Sequence, residues 1–210
     1  MRLLIFSIAF IFSFSSFAQL KEAYLKYDIQ MEAMDSSIQT KKMVDTLKNS
    51  TMELYFAPNK ARMDINMGGF SMTSVIVDRG KEVLLVISDA GKMAMLGKPE
   101  NPSQEKDPSI KITALNEHKT ILGYSCSKYI IVEEGVANEY WLTNDNIIDS
   151  KDKNIVNGNL PGFPIVFTKT TDDNVKETYQ LTTVKDHLDA PLRTIFSLAI
   201  PEGFTVFNGQ

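Results

Sequence analysis

Strict alternation constrains this chain more than any other feature. From Ala23 the odd positions read Ala23, Leu25, Tyr27, Ile29, Met31 and Ala33, and the intervening ones include Lys26, Asp28, Gln30 and Glu32. Successive side chains of a strand point to opposite faces, so the segment reads as a strand with one apolar and one wet face. At about 3.3 Å per residue it spans roughly 35–40 Å, a length that suits a large, curved sheet.

The pattern recurs. Met52, Leu54 and Phe56 alternate with Thr51, Glu53 and Tyr55; beyond the turn residues Pro58, Asn59 and Lys60, Ala61, Met63, Ile65 and Met67 alternate with Arg62, Asp64 and Asn66. Gly68 and Gly69 break the chain, and further strands are expected at 70–77, 83–87 and 93–96, joined by turns at 78–81 and 89–92. The Pro-containing stretch 98–109 reads as a loop. Strands resume at 110–115, 126–133, 139–143, 163–170 and 175–185, with 144–159 polar and rich in turn residues. Helical signals are confined to 39–48, where Met43, Val44 and Leu47 share a face, and to a turn from Asp189 and Pro191 through Ser197. The fold class expected is mainly β: a single curved antiparallel sheet, a half-barrel in outline, with one or two short helices.

The first residues do not belong to that fold. Arg2 is followed by an apolar run from Leu3 to Phe14, and Ser16-Phe17-Ala18 supplies small residues where a signal peptidase reads. Residues 1–18 are therefore expected to be a signal peptide cut before Gln19, leaving 19–210 as a single β-rich domain without a transmembrane anchor. The run is shorter than the about 20 residues a spanning helix needs. No Cys follows the cut to carry a lipid, since Cys126 is the only cysteine. One cysteine also excludes an intramolecular disulfide and suits a small buried strand residue. The formal net charge of −4 becomes one unit more negative without Arg2, which argues against nucleic acid as a partner.

Methionine is the compositional oddity. Beyond Met1, all of it lies between Met31 and Met95, and Met31, Met52, Met63, Met67, Met93 and Met95 fall on apolar phases of strands. Methionine fills irregular cores, and it also makes plastic apolar binding surfaces. A soft-metal site at Met93-Ala94-Met95 is the weaker alternative, because no His or Cys lies nearby. The segment Gly158-Asn159-Leu160-Pro161-Gly162-Phe163-Pro164 fixes a rigid turn bearing apolar side chains, either as a bend that seats Leu160 and Phe163 in the core or as a lip over a cavity. Trp141 reads as core or as pocket lining. No zinc-helix, nucleophile-elbow or phosphate-loop motif is present, so no catalytic residue, metal ligand or cofactor is assigned.

Four elements together resemble a group of uncharacterised exported proteins from Gram-negative bacteria, a domain of unknown function related to the GLPGLI-type proteins. They are the hairpin Tyr55–Asp64, the stretch Ile121–Lys128, the pair Tyr140–Thr143 and Leu160–Pro164, and Phe196 with Ile200–Phe204. The chain departs from the GLPGLI pattern in having Asn159 at its first glycine and Phe163-Pro164 at its end. Such domains are similar in outline to LolA-like and LppX-like periplasmic carriers, which implies a curved sheet holding acyl chains. The expectation is thus a soluble, non-enzymatic protein of the periplasm or exterior that binds a lipid, an acyl chain (free or on a lipoprotein) or another apolar ligand. Tyr27, Ile29, Met31, Met52, Leu54, Phe56, Met63, Ile65 and Met67 would line the concave face, with Trp141 and Phe163 near its mouth. The alternative is a structural or interaction module of the envelope, with a filled core and a protein partner.

Overall fold

The computed structural model describes residues 21–69, 71–99, 110–145, 147–148 and 160–209. The leader, most of the 98–109 stretch and most of 144–159 lie outside the described residues.

Among the described residues, one open, curved sheet of twelve strands carries the fold. In chain order these are β1 (Ala23–Ala33), β2 (Ser50–Ala57), β3 (Lys60–Met67), β4 (Ser71–Asp78), β5 (Val83–Ser88), β6 (Met93–Gly97), β7 (Lys111–Ile121), β8 (Tyr124–Glu133), β9 (Val136–Thr143), β10 (Phe163–Thr170), β11 (Val175–Lys185) and β12 (Thr205–Asn208). The spatial order is β12-β6-β5-β4-β3-β2-β1-β11-β10-β9-β8-β7. Every pairing is antiparallel except β12 on β6, which is parallel. Two meanders, β1–β6 and β7–β11, therefore meet where β1 pairs with β11.

Local sequence explains the connections. Asn59 closes the β2–β3 hairpin with φ of 61°, a left-handed conformation that Asn tolerates. Gly68, at the end of β3, has φ of 61°, and a Cβ there would sit 2.5 Å from the Thr46 carbonyl oxygen, so only glycine fits. Register shifts occur at Lys26/Tyr27 against β11 and at Pro164/Val166 against β9. The second falls beside a proline, which has no N–H for the ladder and is tolerated at such bulges.

Helix α1 (Ile38–Thr46) links β1 to β2, and α2 (Leu192–Ile195) follows β11. At α1 the Ser37 hydroxyl accepts from the Thr40 N–H at 3.0 Å, an N-cap, while the Leu47 N–H closes the last turn on the Met43 carbonyl. These two helices, among the described residues, fall where the sequence places helical signals. Two features exceed those expectations. Strand β7 continues past Leu115 to Ile121 through an irregularity between Ala114 and His118. Thr205–Asn208, for which no strand was expected, form the parallel edge strand β12.

The sheet has two apolar faces. On the core face, in-register neighbours run from Tyr27 to Met52 and Ile65 on one side, and to Leu181 on the other. On the back face of β4–β6, Ile76, Leu85 and Ala94 are buried under Leu198, Ile200 and Phe204 of the tail. Nearer β2, Ile195 and Phe196 pack with Ala57, Tyr55 and Leu188.

Candidate functional site

The core face divides into a filled half and an open half. In the filled half, Leu25, Tyr27, Leu54, Phe56, Ile165 and Leu181 are fully buried. Phe167 stacks on Tyr140 at 5.5 Å and on Tyr179 at 4.5 Å between ring centroids, and the Tyr27 ring meets its edge at 6.0 Å. The Tyr27 hydroxyl donates to the Pro164 carbonyl at 2.7 Å, tying β1 to β10. Burial pushes that phenol well above its ordinary pKa, because ionisation there would strand a charge without solvent.

Moving from β2 towards β12, the same face opens. Register carries it through Met63–Val75–Val86–Met95–Phe207 in one row and Ile65–Thr73–Ser88–Met93–Thr205 in the next. Met63, Ile65, Val75 and Val86 are half-buried, Met93 and Met95 are 47% and 44% exposed, and Phe207 is 51% exposed. Strand spacing of about 4.8 Å makes this surface roughly 20 Å wide from β3 to β12. The first row is apolar throughout and the second is interrupted by Thr73, Ser88 and Thr205, so an exposed apolar stripe flanked by hydroxyls runs to the β12 edge, a feature that marks binding surfaces.

The expected lining residues are distributed over both halves. Ile29, Met52 and Phe163 join Tyr27, Leu54 and Phe56 as buried core, so none of these six offers a free surface. Met31, Met63, Ile65 and Met67 are half-buried. Trp141 lies on the opposite face, since it pairs with Val166, Val166 with Gln180, and Gln180 with Asp28. There its ring carries Lys119 Nζ at 3.8 Å from the centroid and Lys128 Nζ at 5.8 Å. Proline-associated bulging shifts strand phase near this position, which alternation alone does not reveal. Sequence reasoning left Val75, Val86 and Phe207 out of the site and put Met93 and Met95 only in a metal alternative; their apolar phases were visible, but their solvent exposure was not.

Polar chemistry in the buried interior is sparse. Asn138 of β9, buried and paired with Ile131 of β8, has a side-chain carbonyl oxygen without a hydrogen-bond partner among the described residues. Cys126 is buried, its thiol 3.5 Å from the Tyr124 carbonyl, and burial raises its pKa, which favours the unreactive thiol. Among the described residues, no group of three or more His, Cys, Asp or Glu side chains could hold a metal ion. Nor is any described helix long and apolar enough to cross a membrane.

A second concavity lies on the back face, between β1–β3 and the 185–195 segment. It encloses about 400 Å³ and is lined by Tyr24, Glu53, Tyr55, Arg62 and Asp64 from the strands, with Leu188, Asp189 and Ile195 among the residues opposite.

Sheet and site together define a mainly β protein with one open sheet and an apolar face only partly filled. The chain belongs to the family of the domain of unknown function DUF4412, whose model matches residues 36–159. No curated protein matches it. Among solved structures it is similar to PNGF-II, at 12% identity and a TM-score of 0.47 over 90% of this chain and 31% of that one. It thus spans about a third of the length of PNGF-II. A DUF1329 family protein from Desulfovibrio piger is similar at 6% identity and a TM-score of 0.36, over 86% of this chain and 92% of that one. A LolA superfamily protein from Nitrosomonas europaea is similar at 10% identity and a TM-score of 0.36, over 84% and 90% respectively. These likenesses are too distant to lend residues or activity. The GLPGLI relation expected from the sequence is not among them.

Proposed function

We propose that the protein is a cell-envelope binding protein that takes a lipid, acyl chain or other apolar ligand on the open half of its core face. The observation that carries this reading is the row Met63–Val75–Val86–Met95–Phe207, apolar throughout and increasingly exposed towards the β12 edge. Met31, Met63, Ile65 and Met67 would form the inner wall, and Met93, Met95 and Phe207 the accessible rim. Tyr27, Ile29, Met52, Leu54, Phe56 and Phe163 act from beneath, as the packed base of that wall. Methionine suits such a wall because its unbranched, polarisable side chain repacks around different chains. Each buried methylene of a ligand would contribute about 0.8 kcal/mol. An export signal at 1–18 is consistent with a site of action in the periplasm or outside the cell.

The filled half favours a second reading, an interaction module whose open face seats a protein partner instead of a lipid. One experiment separates the two. The protein is purified from an envelope fraction, its organic extract is examined by mass spectrometry, and the stripped protein is titrated with a fluorescent fatty acid. A stoichiometric lipid, together with saturable probe binding that drops at least about tenfold when Met93, Met95 and Phe207 are all changed to Ser, supports the carrier reading. Lipid-free protein that binds no probe removes it and leaves the interaction module.

A further inference from the structure

The back-face cleft has a chemistry of its own. Its base comes from three adjacent strands, and there Glu53 of β2 stands directly opposite Asp64 of β3. Like charges so placed destabilise a sheet unless each is compensated. Asp64 is compensated: Arg62 Nε donates to it at 2.8 Å and the Ser74 hydroxyl at 2.6 Å. Arg62 is further fixed by donating to the Ile195 carbonyl at 2.7 Å, so its charge is committed to Asp64 and to holding α2 against the sheet.

Glu53 is held less firmly: Lys26 of β1 stands opposite it on its other side, but the Lys26 ammonium lies 3.9 Å from Asp28 and forms no ion pair with Glu53. Glu53 accepts from the Tyr55 hydroxyl at 2.6 Å, and no cationic group among the described residues forms an ion pair with it. It is half-buried beside two aromatic rings, Tyr24 and Tyr55, whose centroids are 5.2 Å apart and whose planes are tilted by 49°. Burial first, and then Glu53, push the Tyr24 hydroxyl up to about 12, and the same causes raise Tyr55 further. Both rings therefore stay neutral and sit in a negative field.

We propose that this cleft is a binding site for an organic cation, a primary amine or guanidinium group on an apolar stem. A carboxylate flanked by aromatic faces is the arrangement that recognises such groups, through a charge-assisted hydrogen bond and attraction to the ring faces. Leu188, Ala190 and Ile195 supply apolar surface for the stem. The protein's own chain illustrates the preference at the rim, where Lys185 Nζ lies 5.5 Å from the Tyr24 ring centroid and pairs with Asp189. A hard divalent metal fits poorly, because it requires six or more oxygen ligands and the cleft offers one carboxylate without an ion pair, which already accepts from Tyr55. The site is on the opposite face from the apolar surface, so it stands or falls independently of the lipid reading.

The test uses the full mature chain and follows tyrosine ring resonances by NMR. The probes are n-butylamine, Nα-acetyl-lysine amide, Nα-acetyl-arginine amide and, as a neutral control, Nα-acetyl-norleucine amide. Saturable shifts of Tyr24 and Tyr55 with the cationic probes at roughly millimolar concentration, absent with norleucine, are expected. Glu53→Gln keeps the size and an acceptor for Tyr55 and should weaken binding about tenfold, whereas Met93→Gln should leave it unchanged. Tyr24→Leu provides a second variant if Glu53→Gln fails to fold, with a loss of about threefold expected from the missing ring face. Tighter binding of the amino-acid probes than of butylamine would identify a peptide side chain as the source of the cation, and equal binding a free amine. Binding of norleucine equal to that of lysine, cationic binding that survives Glu53→Gln unaltered, or no saturable shift at all would overturn the proposal.

Discussion

The two halves of the core face follow the same alternating pattern and yet do different things. On β1, β2 and β11, apolar positions such as Leu25, Leu54 and Leu181 are fully buried. On β6 and β12 the same face carries Met93, Met95 and Phe207 at 44–51% exposure. Period-two patterning reports that one face avoids water in some state of the protein; it does not report what covers that face. Residue type holds part of the distinction, since the filled half is built from Leu, Tyr and Phe with defined rotamers, and the open half is rich in Met, which adapts to different neighbours. The back face reinforces the contrast. Behind β4–β6 it is sealed by Leu198, Ile200 and Phe204, so this half has one packed side and one free side.

The largest expected effect tests the filled half. Leu54→Ala removes a fully buried side chain flanked by Leu25 and Met63, and should destabilise by about 2–5 kcal/mol through lost transfer energy and the cavity left behind. Denaturant unfolding measures it. A loss below about 1 kcal/mol would mean that this half is as loosely packed as the other.

Strand pairing in the open half is held by a different kind of contact. Asp78, only 2% exposed, pairs with its cross-strand neighbour Lys60 and accepts from the Lys81 N–H. Burial alone would raise its pKa, but Lys60 and the Lys81 amide more than offset this and hold the carboxyl below its ordinary value. A carboxyl lowered in the folded state binds fewer protons there than in the unfolded chain. Its stabilisation is therefore complete above the unfolded pKa of about 4 and is lost as pH falls through the folded value. Asp78→Asn should cost about 2 kcal/mol at pH 7 and flatten the acid limb of a stability-versus-pH curve. An unchanged acid limb would remove this pair as the anchor of the β3–β4 hairpin.

Much of this architecture was legible in the chain. Alternation placed most of the strands, and the Met43/Val44/Leu47 face marked α1, whose Ser37 cap was not read from the sequence. The six methionines assigned to apolar phases do share the core face, because in-register pairing preserves phase from strand to strand. Other features were not legible. Trp141 sits on the back face, a placement fixed by the long-range register Trp141–Val166–Gln180–Asp28, which its own strand's alternation does not reveal. The tail's strand could not be read from four exposed residues whose partner, β6, lies more than a hundred positions earlier. The cleft at Glu53 was hidden for the same reason, since Arg62 meets Ile195 only through long-range packing.

A smaller effect probes how the filled half is tied across the sheet. Tyr27→Phe keeps the ring against Phe167 but deletes the bond to the Pro164 carbonyl, leaving a buried acceptor unpaired. A loss of about 1–1.5 kcal/mol in denaturant unfolding is expected. A neutral result would show that water or relaxation of β10 satisfies that carbonyl.

The smallest expected effect on stability is also the most direct test of the contrast between the halves. Met52 and Met95 are the same residue type on the same face of one sheet, at 4% and 44% exposure. Met52→Ala should cost about 2–4 kcal/mol, like other large-to-small core changes. Met95→Ala should stay within about 0.5 kcal/mol of wild type, because its side chain is already largely in water. If Met95 instead serves as a ligand contact, its removal should leave unfolding unchanged while weakening the fatty-acid probe by about threefold, the share of one rim side chain. Equal destabilisation by the two substitutions would show that the open half is packed in solution, and the proposed apolar site would lose its basis.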